Sequence, residues 1–185
     1  MSIAVPETTR SIDVRDGIAY AGSGTAVHVV RRVGEQLQLV RSLDVAAVVN
    51  DVASTPSTLY VATASGLIAF DRRDPLSPAA PVSLTTSSPG VFSLARSGDD
   101  VYAADGDRSV ELFRGASSSG ALLALDRSLS VTVTGSRIFV SDGQQTAMFS
   151  ASGTAIATPA IGGLVAATLD SNTFFLAGND RRFRA

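Results

Sequence analysis

The sequence predicts an all-β protein, a small five-bladed β-propeller with four-stranded antiparallel blades. A segment centred on one aromatic residue recurs five times, at intervals of 36 to 42 residues. Short alternating stretches, bounded by turn residues, surround each copy. A repeat of about 40 residues with four short strands is typical of a propeller blade. The recurring aromatics are Tyr20, Tyr60, Tyr102, Phe139 and Phe175.

Each repeat is predicted to contain four strands, A to D, in chain order. Strand A alternates apolar and polar residues, as in SIDV and SVTV, which indicates one buried face. Strand B follows a tight turn such as Asp16-Gly17 and carries the recurring aromatic. Strand C carries a second aromatic in four copies, at Phe70, Phe113, Phe149 and Phe183. Strand D is outermost, where Pro81 is tolerated because an outward N–H has no partner to lose.

The whole chain, residues 1–185, is expected to form a single β-propeller domain. The blades are placed at approximately 11–41, 48–84, 91–126, 129–159 and 164–185. The fifth repeat stops after strand C, whereas residues 2–6 form a surplus strand before the first repeat. We therefore expect residues 2–6 to pair with residues 181–185, which closes the last blade, removes exposed strand edges and leaves a monomer. A fragment of a longer repeat array is the alternative.

Composition excludes several classes of function. All 15 basic residues are Arg, and 17 acidic residues give a net charge of −2, so no general field attracts nucleic acid or an anionic membrane. No apolar run is long enough for membrane insertion. Cys is absent and His28 is the one imidazole, which argues against a zinc site and leaves His28 as a structural residue. The arginine pairs at 31–32 and 72–73 are expected in solvated bends.

Catalysis and bound cofactors are not expected. Asp13 and Asp51 fall on or beside innermost strands, but no acid recurs there in several repeats, as paired-carboxylate chemistry would favour. A glycoside hydrolase-type enzyme that uses an inward acid such as Asp51 is therefore the least favoured alternative. The Asp-Gly sequences at 105–106 and 142–143 lack the ligand spacing of a calcium loop and are typical of hairpin turns. No metal site is predicted.

Polar residues gather on one predicted face of the propeller, formed by the B–C hairpins and the D–A links, which we call the hairpin face. We expect a non-enzymatic binding or scaffold module that engages a protein partner through this face, by analogy with other propellers. A lectin-like carbohydrate-binding propeller is the alternative, although the hairpins differ from repeat to repeat. The candidate binding residues are Asp44, Asp105, Asp107, Arg127, Asp142, Gln144, Asn179 and Asp180.

The second repeat also resembles a known family. It contains LYVA at 59–62, GLIAFD at 66–71, DP at 74–75 and PAAP at 78–81, and these segments resemble the LVIVD-repeat family of bacterial and archaeal β-propellers. The other repeats keep mainly the hydrophobic pattern. The resemblance implies a propeller, often in cell-surface or exported proteins, and no defined reaction. A cytoplasmic location stays open, because the first ten residues do not form a signal peptide.

Overall fold

The structure is a computed structural model that describes residues 2–106, 109–124, 127–157, 162–170, 173–178 and 183–184. Within these ranges the chain consists of β-strands, turns and links, with no helix. Strands that are consecutive in the chain pair antiparallel, so each sheet is a meander. Short strands with Gly-containing turns favour this arrangement, because a hairpin needs only a few residues to reverse the chain.

The strands group into sheets that follow the sequence repeat. The first sheet contains β1 (Thr9–Arg15), β2 (Ile18–Ser23), β3 (Ala26–Val33) and β4 (Gln36–Asp44). The second contains β5 (Val49–Ser54), β6 (Thr58–Thr63), β7 (Gly66–Asp71) and β8 (Ala79–Leu84). The third contains β9 (Ser93–Ser97), β10 (Asp100–Ala104), β11 (Ser109–Arg114) and β12 (Ser117–Ala124). The fourth contains β13 (Ser130–Thr134), β14 (Arg137–Ser141), β15 (Thr146–Ser150) and β16 (Ala155–Ala157). The last contains β17 (Leu164–Asp170), β18 (Thr173–Gly178) and β19 (Phe183–Arg184).

The prediction of four antiparallel strands per repeat is confirmed for the first four repeats. The local turn chemistry that carries it is also present. Asp16 and Gly17 adopt φ values of 54° and 75°, and the flanking residues Arg15 and Ile18 pair with each other. A two-residue hairpin with both φ values positive matches the twist of the strands, which is why Asp-Gly is favoured there. Pro81 lies in β8, an exposed outermost strand.

The core consists of apolar layers between consecutive sheets. The recurring aromatic of strand B is buried in the first four repeats, at Tyr20, Tyr60, Tyr102 and Phe139. Each one faces the following sheet: Tyr60 of β6, for example, lies in one buried cluster with Leu94 of β9 and Phe113 of β11. The ring of Phe139 meets that of Phe174 edge-on at a centroid distance of 5.4 Å. The aromatic residue recurs in the sequence because each sheet packs it against the next sheet.

The tyrosine hydroxyls extend the same contact to the turns of the next sheet. Tyr20 Oη donates a hydrogen bond to the Pro75 carbonyl at 2.7 Å, and Tyr60 Oη donates to the Gly115 carbonyl at 2.6 Å. Both acceptors lie in the C–D bends of the following repeat. A buried phenol needs such a partner, because an unpaired hydroxyl in the core costs free energy.

Polar contacts also join the innermost strands, β1, β5, β9, β13 and β17. A side chain on each of the first four hydrogen-bonds a backbone group of the next, and we call these contacts the inner latches. The inner latches are Ser54 N to Asp13 Oδ2 at 2.8 Å, Leu94 N to Asp51 Oδ2 at 2.8 Å, Val131 N to Ser93 Oγ at 3.3 Å, and Ser130 Oγ to Leu164 O at 3.4 Å. The sheets are therefore held together at the inner edge as well as through their apolar layers.

The N-terminal segment corrects one prediction. Residues 2–6 form no strand, and the last sheet has three strands among the described residues, so the expected fourth strand from the N-terminus is not observed there. Ile3 and Val5 instead line a cavity of about 420 Å³ on the face of the first sheet that carries Ile12 and Val14. Ser23 Oγ donates to the Glu7 carbonyl at 2.7 Å and fixes the end of this segment. Burial of Ile3 and Val5 against apolar residues favours this position over an edge pairing.

Candidate functional site

The hairpin face is assembled by hydrogen bonds between D–A links and B–C hairpins. Val49 N donates to the Gly24 carbonyl at 2.8 Å, and Val91 N donates to the Thr63 carbonyl at 3.0 Å. Gly106 and Ser128 exchange two backbone hydrogen bonds, both of 2.9 Å. Links and hairpins therefore lie at the same edge of the sheets, as the repeat pattern predicts. The C–D bends lie at the other edge, where Arg72 N donates to the carbonyl of Ser57 in an A–B turn.

An exposed aromatic side chain, Phe92, lies on this face. Phe92 precedes β9, is 46% exposed, and its backbone N–H donates to the Ala104 carbonyl at 2.9 Å. Its ring lies directly over Gly106, where a Cβ atom would come within 2.5 Å of the ring carbon Cε2. Gly106 also has a φ of +88°, which other residues rarely adopt. Glycine at this position therefore allows the aromatic ring to approach the hairpin backbone closely.

Charged and polar groups continue the surface on the next repeat. Arg127 is exposed and adjoins Ser128, the residue that pairs with Gly106. Asp142 Oδ1 accepts the backbone N–H groups of Gln145 at 2.6 Å and Gln144 at 2.7 Å. These hydrogen bonds lower the pKa of Asp142, and the nearby positive charge of Arg127 lowers it further. Asp142 is therefore an ionised acceptor beside an exposed cation.

We call this surface the Phe92 patch. It is defined by Phe92, Gly106, Arg127, Asp142 and Gln144. The side chain of Gln144 is exposed, like those of Phe92 and Arg127. Three of the predicted binding residues, Arg127, Asp142 and Gln144, thus lie on neighbouring segments. The patch combines an aromatic ring, a guanidinium, a carboxylate and an amide, which is a combination suited to contacts with both apolar and polar groups.

The other predicted binding residues fall elsewhere. Asp44 is exposed at the end of β4, in the link after the first sheet, where its Oδ1 accepts the Ala46 N–H at 2.9 Å. Asp105 is buried, so its side chain is not part of the exposed surface of this hairpin. Its carboxylate accepts Ser109 N at 2.8 Å and Ser109 Oγ at 2.7 Å, so it stabilises the hairpin from inside. Asp107, Asn179 and Asp180 lie outside the described residues.

The carboxylates of the innermost strands serve contacts between sheets. Asp51 accepts the N–H groups of Val52 and Leu94, each at 2.8 Å, and burial raises its pKa. Asp13 accepts from Ser54 and forms an ion pair with Arg96 at 3.7 Å. Both acids thus hold structural hydrogen bonds, which is a different arrangement from a pair of carboxylates that flank an open substrate site.

His28 and Arg72 are both buried in the structure. His28 is buried and shares a hydrogen bond of 2.8 Å between its Nδ1 and Ser42 Oγ, as expected for a structural histidine. Arg72, predicted in a solvated bend, is buried instead, because it hydrogen-bonds groups of the first and second sheets. In the ranges that the structure describes, no three His, Cys, Asp or Glu side chains cluster as metal ligands would. Those ranges also contain no helix able to cross a membrane.

The sequence did not identify Phe92 as a surface residue. It lies in the alternating stretch FSLA, which predicts a buried strand, but β9 begins one residue later, at Ser93. One signal was present: Phe92 and Phe174 are the two aromatics outside the two repeat positions that hold the other nine. Phe174 contacts Phe139 of the preceding sheet, whereas the ring of Phe92 is exposed.

Comparison with known proteins identifies the fold. No family model matches the chain, and no curated protein matches it. Among solved structures, the computationally designed Ika4 protein is 10% identical with a TM-score of 0.65, over 80% of this chain and 93% of that chain. The designed Ika8 protein is 14% identical with a TM-score of 0.72, over 93% of this chain and 56% of that one.

A chain in a crystal structure of the mitotic checkpoint complex is 12% identical with a TM-score of 0.71, over 92% of this chain and 56% of that chain. This chain thus spans a little over half the length of the last two proteins. At these identities the likeness concerns the fold alone. Together with the four-stranded antiparallel sheets, it shows that the chain is an all-β protein with a β-propeller-like fold.

Proposed function

We propose that this chain is a non-enzymatic binding or scaffold module, and that it engages a protein partner through the Phe92 patch of the hairpin face. We further propose that the chain is one domain of five blades, with β17–β19 as the fifth. The observation that carries the binding proposal is the 46% exposed Phe92 ring, which lies over Gly106 of the hairpin that pairs with Ser128, the residue next to Arg127. Aromatic residues and arginine are enriched in protein interfaces and dominate binding energy there.

The patch occurs once, which favours a single partner over one ligand per repeat. Phe92 lies two residues before Leu94, the apolar residue that recurs in strand A. The equivalent positions in the other repeats hold Arg10, Asn50, Leu129 and Val165. A lectin-like propeller with one sugar site per blade would need similar groups at each of these positions. The resemblance to LVIVD-repeat propellers agrees with a module that has no defined reaction, and that assignment stays a prediction.

The mechanism we propose is recognition by a preformed surface. The backbone hydrogen bonds between links and hairpins hold the Phe92 patch before a partner arrives, so little conformational entropy is lost on binding. A partner segment with an apolar side chain would cover the ring of Phe92. An acidic group of the partner would face Arg127, and a donor would face Asp142.

A peptide array tests this proposal. The purified protein is applied to an array of random peptides and to a glycan array, and the best binders are measured by calorimetry. We expect micromolar peptide binding that Phe92→Ala and Arg127→Glu each weaken by roughly tenfold or more, since interface aromatics and arginines commonly contribute over 1 kcal/mol. Val82→Ala is the matched control, because Val82 is also exposed and apolar but lies on the outermost strand β8.

Two results would contradict the proposal. Peptide binding that is unchanged by both patch substitutions would place the site elsewhere on the molecule. Binding confined to glycans, with several equal sites per chain, would favour the lectin-like alternative.

A further inference from the structure

One face of the first sheet exposes two apolar residues, and the position of one of them, Ile12, is buried in every following four-stranded sheet. Ile12 and Val14 of β1 are 62% and 58% exposed. The residues at the position of Ile12 in the next three repeats are Val52, Leu94 and Val131, and they are only 4 to 9% exposed. We call the surface around Ile12 and Val14 the leading face.

The equivalent residues are buried because the preceding sheet covers them. Val52 lies in one apolar cluster with Tyr20, Leu94 lies in one with Tyr60, and Val131 lies in one with Tyr102. In each case the covering surface is the face that carries the recurring aromatic of strand B. We therefore expect the leading face to bind a sheet face that carries the recurring aromatic of strand B.

The last sheet carries the complementary surface. In β18, Ala177 follows the recurring aromatic position by two residues, as Ala62 and Ala104 do in the second and third sheets. Ala62 and Ala104 are fully buried, whereas Ala177 is only half-buried, and Thr173 on the same side of β18 is exposed. We call this surface the trailing face.

We propose that the leading face of one molecule binds the trailing face of a second copy of this chain. The contact would repeat the interface that already joins consecutive sheets within the chain. The last sheet of the same molecule is present, yet Ile12 and Val14 remain exposed, so a second copy is the occupant we infer. Over 93% of its length the chain aligns with 56% of the longer designed Ika8 chain, which agrees with sheets that fill only part of a larger ring. Two copies joined head to tail at both ends would then form a closed dimer.

The N-terminal segment covers only part of the leading face. Ile3 and Val5 line one cavity together with Ile12 and Val14, which nevertheless stay 62% and 58% exposed. Docking of a second copy therefore requires residues 2–6 to move aside or to lie along the rim of the contact. Removal of residues 2–6 is expected to strengthen the association, because the segment and the second copy compete for the same apolar surface.

Light scattering coupled to gel filtration tests this inference. A monomer has a mass of 19.0 kDa, and a dimer has twice that mass, about 38 kDa. We expect the dimer at about 100 µM wild-type protein, well above a micromolar Kd. Ile12→Arg and Ala177→Arg should each give a folded monomer, whereas Val82→Arg, at a 49% exposed apolar position on β8, should stay dimeric. Thr173→Arg is a second trailing-face variant at an exposed site, which serves if Ala177→Arg does not fold.

Mixing the variants tests the head-to-tail geometry. A dimer of Ile12→Arg with Ala177→Arg keeps one intact contact out of two, so an equimolar mixture should associate although each variant alone does not. A wild-type monomer at about 100 µM would overturn the proposal. So would a dimer that the trailing-face variants leave intact, or a mixture that stays monomeric. Far-UV circular dichroism of each variant shows that the sheets are retained.

Discussion

Replacement of Arg72 should lower the free energy of unfolding and so test how the first and second sheets are joined. Its guanidinium is buried where the first and second sheets meet, and it donates five hydrogen bonds to groups of both sheets. The acceptors are Tyr20 Oη at 2.7 Å, the carbonyls of Thr55 and Pro56 at 3.3 Å, the Arg15 carbonyl at 3.4 Å, and Asp16 Oδ2 at 3.1 Å. Its charge also lies 5.3 Å from the centre of the Tyr20 ring. The side chain thus acts as a cross-link between two sheets.

We expect Arg72→Met to lower the free energy of unfolding by about 3 kcal/mol. Tyr20 Oη and the Thr55 carbonyl are buried, and each would lose a partner at a cost of roughly 1–3 kcal/mol. Asp16 contributes little, because its side chain is 64% exposed and water replaces the ion pair. Methionine keeps most of the apolar stem and so limits the size of the cavity. For a chain of this size the melting temperature should fall by about 6–12 °C.

Urea unfolding followed by circular dichroism measures this change. Arg73→Met is the matched control, because Arg73 is adjacent, 84% exposed and paired with Asp71 in solvent, and its replacement should cost little. Asp16→Asn should cost a similarly small amount if the neutral acceptors dominate. The reasoning would be refuted if Arg72→Met and Arg73→Met were equally mild, or if Asp16→Asn reproduced the full loss.

Four other residues give further tests. Tyr60→Phe leaves the Gly115 carbonyl without its donor and should cost about 1 kcal/mol in urea unfolding. Burial raises the pKa of Tyr60 from 10.0 to about 12, so the unfolded phenol ionises first, stability should fall as pH rises from about 10 to 12, and Tyr60→Phe should reduce that slope. Phe113→Ala should cost about 3–5 kcal/mol because the ring is fully buried, whereas Phe92→Ala should change stability by less than about 1 kcal/mol; equal losses would place Phe92 in the core. Burial raises the pKa of Asp51. The folded state therefore favours the neutral carboxyl, and the wild type should gain stability relative to Asp51→Asn as pH falls through the raised pKa. A stability difference that does not depend on pH would argue against the burial of this charge.

The sequence predicted those features that depend on local chemistry. Alternation of apolar residues and Asp-Gly turns determine strands and hairpins within about ten residues, so the meander of each sheet was accessible. The recurring aromatic was also accessible, because stacking places the same demand on each repeat. Tyr20, Tyr60 and Tyr102 are buried for this common reason.

Features that depend on contacts between distant segments were not accessible. Arg72 is separated from Tyr20 by 52 residues in the sequence, and a charged bend reads as solvated until the sheets are placed together. Asp105 is typical of a surface hairpin, but its hydrogen bonds to Ser109 turn the carboxylate inward. Residues 2–6 could either pack on an apolar face of the first sheet or pair with the edge of the last one. The number of strands in each repeat does not show which of these contacts is more favourable. Three residues of the Phe92 patch were predicted, but its aromatic centre was not.

The inner latches have a consequence for how such a chain can change in evolution. Each latch uses one side chain on a strand and a backbone group on the next, and a backbone group is present whatever residue a repeat supplies. Duplication or loss of one whole unit of about 40 residues would therefore leave every remaining junction with a usable donor and acceptor. The number of sheets can thus change without simultaneous compensating substitutions, whereas a single-residue insertion within an inner strand would shift its latch away from the neighbouring strand.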